Sequence, residues 1–488
     1  MNRAIVHLFA LFTLLFAVLV VFTSRWSVLE SESLADNTAN RRPLLEQQKI
    51  PRGLILARDG RTVLAANTRI GSRQTRRYVR RYPTASLFSH AVGYSFIERG
   101  RSGIEQSEND ILTGTGNEFA SLVDELSGQQ EGDNLRTTLD SRVQETARSA
   151  LGGRRGSIVA IEPATGRVRA VVSIPDFDPN SIPDRFSELN AEESSPLFNR
   201  ATQARYPPGS TFKVVTAAAA LDSDRYTPNT TLSGRNNKPI SGVPLQNFDS
   251  QDFGQVTLTE ALTKSINTVW AEVGSDLGKG TLLRYMRRFG FEAEPPIDYP
   301  RNQLAPSGVF GRRGLLDRGD AIDIGRVAIG QERLQVTPLQ MAMVAATIAN
   351  QGELMRPVLA ERAIAPDGRV TDRFRPDRLR RVVSPDAARG VTGMMSSVVE
   401  RGSGTAAQLQ GVRVAGKTGT AERGSGINQA WFIAFAPVER PRIALAVTVE
   451  QAQGTGGEVA APIAQRVLET ALGARGAGTS GPAASGGF

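Results

Sequence analysis

The hydrophobic positions of this 488-residue chain begin with an unbroken apolar run. Residues 5–23 contain no Asp, Glu, Lys or Arg, and a run of this length is enough to cross a bilayer. A cleaved signal peptide is the alternative, but its apolar core is normally shorter and ends at a small-x-small cleavage site, which does not follow here. The pattern therefore predicts a retained transmembrane anchor over residues 5–23.

Short apolar or alternating runs bounded by turn residues predict strands in the rest of the chain. Residues 52–68 predict two short strands around an Asp59-Gly60 turn, and residues 157–173 predict a hairpin that turns at Pro163-Ala164-Thr165-Gly166. Three further strands are predicted near the C-terminus, at 412–422, 428–437 and 442–450.

Longer apolar runs predict helices that cover these strands. After Pro207-Pro208-Gly209, an Ala-rich run that is uncharged beyond Lys213 predicts a buried helix that starts at Ser210, with Ser210 as its N-cap. Residues 257–278 predict a helical stretch with Ser265-Ile266-Asn267 partway along it, and residues 176–205 predict a loop. Other helices are predicted at 141–151, 336–352, 385–401 and 461–472. Helices that cover a mainly antiparallel sheet indicate an α+β fold.

The composition restricts the possible chemistry. The chain has no Cys and only two His, His7 in the apolar run and His90 far from the motifs described below. These counts argue against a Cys nucleophile, a structural zinc site and a His-rich metal centre. A Ser-His-Asp triad would need one of two poorly placed histidines. A serine enzyme with this sequence would therefore use a lysine base, and we expect neither a metal nor a cofactor.

The chain is basic, with 58 Lys plus Arg, 49 Asp plus Glu and a formal net charge of +9. The arginines are scattered, and neither a basic helix nor a zinc signature accompanies them, so we expect no nucleic acid partner. Only six of the basic residues are lysines, and two of these, Lys213 and Lys417, occupy motif positions. Lysine can lose its proton when it is partly buried and arginine cannot, so these two lysines indicate proton transfer.

Three short strings carry the candidate chemistry: Ser210-Thr211-Phe212-Lys213, Ser265-Ile266-Asn267 and Lys417-Thr418-Gly419-Thr420, at intervals of 55 and 152 residues. Acyl transfer needs a nucleophile, a base, a proton for the leaving amine and donors for the oxyanion. Each string alone also has a purely structural explanation: a helix cap beside a solvated lysine, ordinary helix residues, or the end of a strand. Together and in this order they predict a serine acyl-transfer site of the penicillin-recognising type.

With these motifs the chain resembles the class B penicillin-binding proteins, which are monofunctional peptidoglycan transpeptidases, and among them the actinobacterial PbpA subgroup. The resemblance extends from the apolar run to the last predicted helix. Further matching strings are Arg52-Gly53, Arg58-Asp59-Gly60, Ser102-Gly103-Ile104-Glu105, Asn199-Arg200, Gly330-Gln331, Thr337-Pro338, Gly404-Thr405-Ala406 and Trp431-Phe432.

The resemblance implies a penicilloyl-serine-transferase domain, an antiparallel sheet covered by helices, on a smaller N-terminal pedestal domain of the dimerisation type. It implies a single-pass protein of the cell membrane with its catalytic domain on the extracytoplasmic face. In the pedestal, Arg52 and Glu105 are expected to form an ion pair. The expected divisions are a cytoplasmic stub at 1–4, the anchor at 5–23, a stalk at 24–50, the pedestal at 51–150, the transpeptidase domain at 151–472 and a disordered tail at 473–488.

The resemblance also implies roles for the motif residues. Ser210 would attack the carbonyl between the two terminal D-alanines of a stem peptide, and Lys213 would take its proton. Ser265 would pass a proton to the departing D-alanine with electrostatic support from Lys417, and Asn267 would hold the substrate amide. The amine of a second stem peptide would resolve the acyl-enzyme into a cross-link, whereas β-lactams would stay on Ser210.

The third motif would bind the substrate's terminal carboxylate through Thr418 and Thr420, and Gly419 would let the substrate lie close to the strand. The backbone N–H groups of Ser210 and Thr420 would form the oxyanion hole. The expected partners are stem peptides that end in D-Ala-D-Ala, β-lactam antibiotics and a membrane glycosyltransferase of the SEDS type. A D,D-carboxypeptidase or a β-lactamase-like hydrolase that uses the same site is the alternative, and a scaffolding pseudoenzyme is disfavoured because every catalytic side chain is present.

Overall fold

The computed structural model of the protein describes residues 2–25, 49–72, 76–115, 131–312, 314–316, 319–422 and 427–473. The predicted stalk at 24–50 and the predicted tail at 473–488 lie almost wholly outside these residues. Within them, helices cover a mainly antiparallel sheet, and a second sheet is built mostly from N-terminal strands. This arrangement confirms the predicted α+β fold.

The helices begin with one apolar segment. They are α1 (Asn2–Ser24), α2 (Ser89–Val92), α3 (Ile104–Ser107), α4 (Asn109–Thr113), α5 (Ser141–Leu151), α6 (Ile182–Ala191), α7 (Lys213–Asp222), α8 (Leu258–Thr263), α9 (Asn267–Arg288), α10 (Ile324–Ala328), α11 (Pro338–Ala349), α12 (Pro385–Arg401) and α13 (Gly456–Leu472). Within α1, the 20 residues Ile5–Ser24 contain an 18-residue window with a mean hydropathy of 2.8 and are long enough to cross a membrane.

The strands are mostly short. They are β1 (Ile55–Leu56), β2 (Val63–Ile70), β3 (Arg77–Arg81), β4 (Ser95–Phe96), β5 (Gly100–Arg101), β6 (Asn134–Thr137), β7 (Gly156–Ile161), β8 (Val168–Ile174), β9 (Thr231–Ser233), β10 (Lys238–Ile240), β11 (Val243–Leu245), β12 (Gln255–Thr257), β13 (Gly308–Gly311), β14 (Gly314–Leu315), β15 (Leu334–Gln335), β16 (Glu353–Met355), β17 (Ala360–Ile364), β18 (Val370–Arg373), β19 (Arg378–Arg381), β20 (Ala415–Glu422), β21 (Asn428–Ala436) and β22 (Ile443–Ala452).

The central sheet has the order β20-β21-β22-β7-β8, and every neighbouring pair in it is antiparallel. Strand β21, which lies between β20 and β22, is buried on both faces, and its successive side chains point to opposite sides of the sheet. Trp431 and Ile433 join the core that contains the fully buried helix α11, whereas Phe432 and Ala434 join the core that contains α13. The sheet is therefore the middle layer of three.

The second sheet has the order β18-β17-β6-β1-β2-β3. Strand β17 pairs antiparallel with β6, although residues 360–373 fall inside the range predicted for the transpeptidase domain. The strands β17 and β18, which come late in the chain, thus belong to the same sheet as the N-terminal strands β1, β2, β3 and β6. The domain boundary between residues 150 and 151 stays a prediction. Strands from both sides of this boundary pair in the second sheet.

The hairpins predicted at 52–68 and 157–173 are confirmed as β1–β2 and β7–β8. Two other predictions of secondary structure are wrong. Helix α6 lies within the predicted loop at 176–205. Helix α13 begins at Gly456 rather than at 461, because Thr455 and Glu458 form a capping box there.

The predicted ion pair between Arg52 and Glu105 is confirmed. Glu105 is fully buried, and its two carboxylate oxygens contact different guanidinium groups, one from Arg52 at 2.7 Å and one from Arg80. Burial alone would raise the pKa of Glu105, but Arg80 and Arg52 hold this pKa below its usual value. The charged carboxylate thus connects the segment before β1 to β3 and α3.

Glu105→Gln is expected to lower the free energy of unfolding by about 3–5 kcal/mol, because it leaves two guanidinium groups without a counter-ion in a buried site. Urea denaturation of the full chain measures this loss. Glu188→Gln is the matched control, since it also removes a carboxylate paired with an arginine, but both side chains of that pair are more than half exposed. Its stability should match the wild type, and an equal loss in both variants would contradict the prediction.

Candidate active site

Ser210 lies in a turn of 3₁₀-helix, Gly209–Phe212, that leads directly into α7. The prediction that Ser210 caps the helix is wrong, because its side chain caps neither the turn nor α7. The neighbouring Thr211 makes the local bond instead, donating its hydroxyl to Pro208 O at 2.8 Å. Residues three apart eclipse one another in a 3₁₀ turn, so Ser210 and Lys213 lie on the same side of the segment.

Glycines let this turn pack closely against its neighbours. A Cβ on Gly209, whose φ is +52°, would lie 2.9 Å from Thr420 O, and one on Gly330 would lie 1.9 Å from Gly209 O. A Cβ on Gly419 would lie 2.7 Å from Pro208 O. The predicted role of Gly419 was to admit the substrate, whereas in the structure its missing side chain first of all admits the Ser210 turn against β20.

Lys213 is fully buried at the first turn of α7. Its Nζ donates to Asn267 Oδ1 at 2.7 Å, to Ser265 O at 2.7 Å and to Ser265 Oγ at 3.3 Å. Burial, reinforced by the nearby charge of Lys417, lowers the pKa of Lys213 well below its usual value. This shift favours the neutral form of the amine, which is the form that can accept a proton.

Ser265 and Asn267 lie at a break in the chain direction. The helical stretch predicted at 257–278 is divided into two helices, since α8 ends at Thr263 and α9 begins at Asn267. Ser265 between them has a φ of +59°, an unfavourable left-handed conformation for a residue with a side chain. The break brings the Ser265 hydroxyl and the Asn267 amide to the same lysine, and Asn267 Nδ2 also donates to Gln246 O at 3.1 Å.

Lys417 approaches the same hydroxyl from β20. Its Nζ donates to Ser265 Oγ at 2.9 Å and to Thr418 O at 3.0 Å, and the side chain is fully buried. Burial lowers the pKa of Lys417 to about 7. The Ser265 hydroxyl thus lies between two buried amines, one from a helix and one from a strand.

The rest of the third motif lines the adjoining part of β20. Thr418 Oγ1 lies 2.6 Å from Ser403 Oγ, and Thr420 Oγ1 accepts a hydrogen bond from Gly456 N at 3.1 Å. Sequence reasoning missed Ser403, because a serine after α12 carries no signal of its own. Its position directly before the Gly404-Thr405-Ala406 string was the only available indication.

Lys417→Met is expected to raise the free energy of unfolding at pH 7 by on the order of a few kcal/mol. The folded protein holds the Lys417 proton less tightly than unfolded lysine does, with a pKa of about 7 against 10.5. Wild-type stability therefore rises as the pH rises from about 7 towards 10.5, so the advantage of the methionine variant should shrink by about pH 9.5.

Urea denaturation of both proteins at the two pH values tests this expectation. Lys264→Met is the control, because Lys264 is half exposed and paired with Glu260 at 3.2 Å. It should show no such pH-dependent difference. If Lys417→Met is less stable than the wild type at both pH values, the buried amine is not an energetic cost to the fold.

Two family models match the chain: the penicillin binding protein transpeptidase domain over residues 156–469 and the penicillin binding protein A dimerisation domain over residues 52–135. The chain is 34% identical to peptidoglycan D,D-transpeptidase PbpA of Mycolicibacterium smegmatis, over 97% of this chain and 99% of that protein.

Solved structures agree with these matches. Penicillin-binding protein A from M. tuberculosis, in a ceftriaxone acyl-enzyme complex, is 34% identical with a TM-score of 0.79, covering 88% of this chain and 100% of that one. The D,D-transpeptidase domain of a peptidoglycan glycosyltransferase from Eggerthella lenta is 33% identical with a TM-score of 0.76, covering 87% of this chain and 99% of that one. Since the transpeptidase model spans more than half of the chain, and a relative is 34% identical over nearly all of it, the chain belongs to the class B penicillin-binding proteins.

Proposed function

We propose that the protein is a peptidoglycan D,D-transpeptidase that cross-links stem peptides through an acyl-enzyme on Ser210. One observation carries the proposal: two buried lysines converge on the Ser265 hydroxyl beside the turn that presents Ser210. A site of this kind can take a proton from a nucleophile and deliver it to a leaving amine. The names of the relatives, which are D,D-transpeptidases, support the same reaction.

In the acylation step, Ser210 Oγ attacks the carbonyl carbon of the penultimate D-alanine while neutral Lys213 Nζ takes the hydroxyl proton. The resulting oxyanion accepts hydrogen bonds from the backbone N–H groups of Ser210 and Thr420. When the tetrahedral intermediate collapses, the C–N bond breaks and the Ser265 hydroxyl passes a proton to the departing D-alanine. Lys213 re-protonates Ser265, and Lys417 holds this hydroxyl in place by the bond at 2.9 Å.

In the second step, the amine of another stem peptide attacks the Ser210 ester. Its proton returns through Ser265 and Lys213 to Ser210 Oγ as the ester bond breaks, so the cycle ends with an amide cross-link and a regenerated serine. Asn267 holds the amide of the bound peptide, and Thr418 and Thr420 bind its terminal carboxylate. A β-lactam acylates Ser210 by the same attack, but its leaving nitrogen stays attached to the acyl group and keeps the acceptor out.

The proposal extends to location and partners. Helix α1 would anchor the protein in the cell membrane with a single pass, and the catalytic domain would lie on the extracytoplasmic face, where peptidoglycan is assembled. A membrane glycosyltransferase of the SEDS type would supply the glycan strands whose peptides are joined. The reason is chemical, because the transpeptidase domain matched at residues 156–469 joins peptides on glycan strands that a glycan-polymerising activity must supply.

The experiment uses the full chain in detergent micelles, with a donor peptide that ends in D-Ala-D-Ala and an excess of an amine acceptor. Ligated product should exceed the hydrolysed donor, and a fluorescent penicillin should give a stable adduct that mass spectrometry maps to the peptide containing Ser210. Hydrolysis without ligation would instead indicate a D,D-carboxypeptidase. Rapid release of the penicillin would indicate a β-lactamase-like hydrolase.

A further inference from the structure

A cavity of about 50 Å³ lies outside the active site, between the edge strand β3 and the β4–β5 hairpin. The described residues that line it include Arg52, Arg80 and Arg101 together with Tyr78 and Ile97, and none of them is a carboxylate. The proposed reaction uses none of these residues. The cavity therefore calls for an explanation of its own.

Among the described residues, the positive charge of Arg52 and Arg80 is only partly balanced. The single buried carboxylate of Glu105 serves both Arg52 and Arg80, so one negative charge faces two guanidinium groups. Arg80 is 4% exposed, and a buried cation without a full counter-charge is costly. The residues around the cavity therefore favour an anion over a neutral or cationic ligand.

One guanidinium nitrogen of Arg80 has no acceptor. Arg80 Nε binds Glu105, and Nη1 donates to Asn67 Oδ1 at 3.1 Å and to Arg52 O at 3.4 Å. Nη2 is buried and has no hydrogen-bond partner among the described residues. Because a buried N–H group without an acceptor costs free energy, an acceptor that reached this nitrogen would stabilise the folded protein.

We propose that this cavity binds a carboxylate carried by an acidic side chain of an extended polypeptide. Carboxylate oxygens form strong charge-assisted bonds with guanidinium groups. A cavity of about 50 Å³ has room for roughly one such group. Tyr78, Phe96 and Ile97 surround the arginines with apolar surface, which suits apolar residues on either side of the acidic one. Strand β3 lies at the edge of its sheet, and strand edges commonly receive extended peptides.

The first test titrates the full chain in detergent micelles with three probes. These are the capped pentapeptide Ser-Val-Glu-Val-Ser, its Ser-Val-Gln-Val-Ser counterpart and acetate. The glutamate peptide should bind about tenfold or more tightly than the glutamine peptide, a difference of about 1.4 kcal/mol, and more tightly than acetate. Equal binding of the two peptides would overturn the carboxylate site. Acetate binding as tight as the glutamate peptide would overturn the assignment to a polypeptide.

The second test supplies the acceptor from within the chain. Residues 78 and 80 point to the same face of β3, so Tyr78→Glu places a carboxylate beside Arg80, and Tyr78→Gln is its matched neutral control. Tyr78→Glu should melt about 2–4 °C above Tyr78→Gln and should bind the glutamate peptide more weakly than Tyr78→Gln does. Circular dichroism shows whether both variants fold. If the two folded variants melt together and bind the peptide equally, the proposal fails.

Discussion

Ser210→Ala is expected to abolish labelling by a fluorescent penicillin, with the acylation rate falling by at least about 10³-fold. The Ser210 oxygen forms the covalent bond, and in a site without cysteine no other side chain of the motif can replace it. Because the side chain caps neither the 3₁₀ turn nor α7, its removal should leave the melting temperature close to that of the wild type. Gel fluorescence over time gives the rate.

Thr211→Ser is the control for this experiment. It keeps a hydroxyl next to Ser210 that can still donate to Pro208 O, as Thr211 does at 2.8 Å, so labelling should proceed at the wild-type rate. If Ser210→Ala folds and still forms a stable adduct, or if the adduct maps to another residue, Ser210 is not the nucleophile.

Lys213→Arg should have the next largest effect, slowing acylation by about 10²–10⁴-fold. Arginine keeps its proton under all conditions that the protein survives, so it cannot accept the Ser210 proton. Lys213 is fully buried, and the larger, permanently charged guanidinium is also expected to disturb the fold. Lys213→Met separates the two effects, because it is uncharged and of similar length and should lose acylation while remaining folded.

Stopped-flow acylation between pH 6 and 9 tests the role of Lys213. The wild-type rate should fall as the pH falls through the lowered pKa of Lys213, because the protonated amine cannot act as a base. Lys264→Arg, at a half-exposed position paired with Glu260, should follow the wild-type profile. An acylation rate of Lys213→Arg or folded Lys213→Met near that of the wild type would show that the proton is taken by another group.

Features governed by local rules could be predicted from the sequence. The β7–β8 hairpin follows from its Pro-Ala-Thr-Gly turn, in which Gly166 has a φ of +74°. The last three strands follow from apolar runs separated by polar residues. The shared face of Ser210 and Lys213 also holds, even though the turn is 3₁₀ and not α-helical, because residues three apart are neighbours in both geometries.

Features that depend on contacts between distant segments could not be predicted in this way. The left-handed Ser265 interrupts a helical pattern because Lys213 from α7 and Lys417 from β20 both bind it, and neither contact is visible in its neighbourhood. Ser403 joins the site only because the end of α12 lies beside Thr418. Strand β17 pairs with β6 in the second sheet. The paired residues Ala360 and Thr137 are far apart in the chain.

The glycines that hold the Ser210 turn in place also limit how the protein can change. A methyl group at Gly330 or Gly209 would collide with main-chain atoms, at 1.9 Å and 2.9 Å respectively, and backbone cannot swing aside as a long side chain can. A bacterial lineage under antibiotic pressure therefore has no single-step escape at these positions. Any side chain introduced there to exclude a drug would also displace the backbone that carries Ser210.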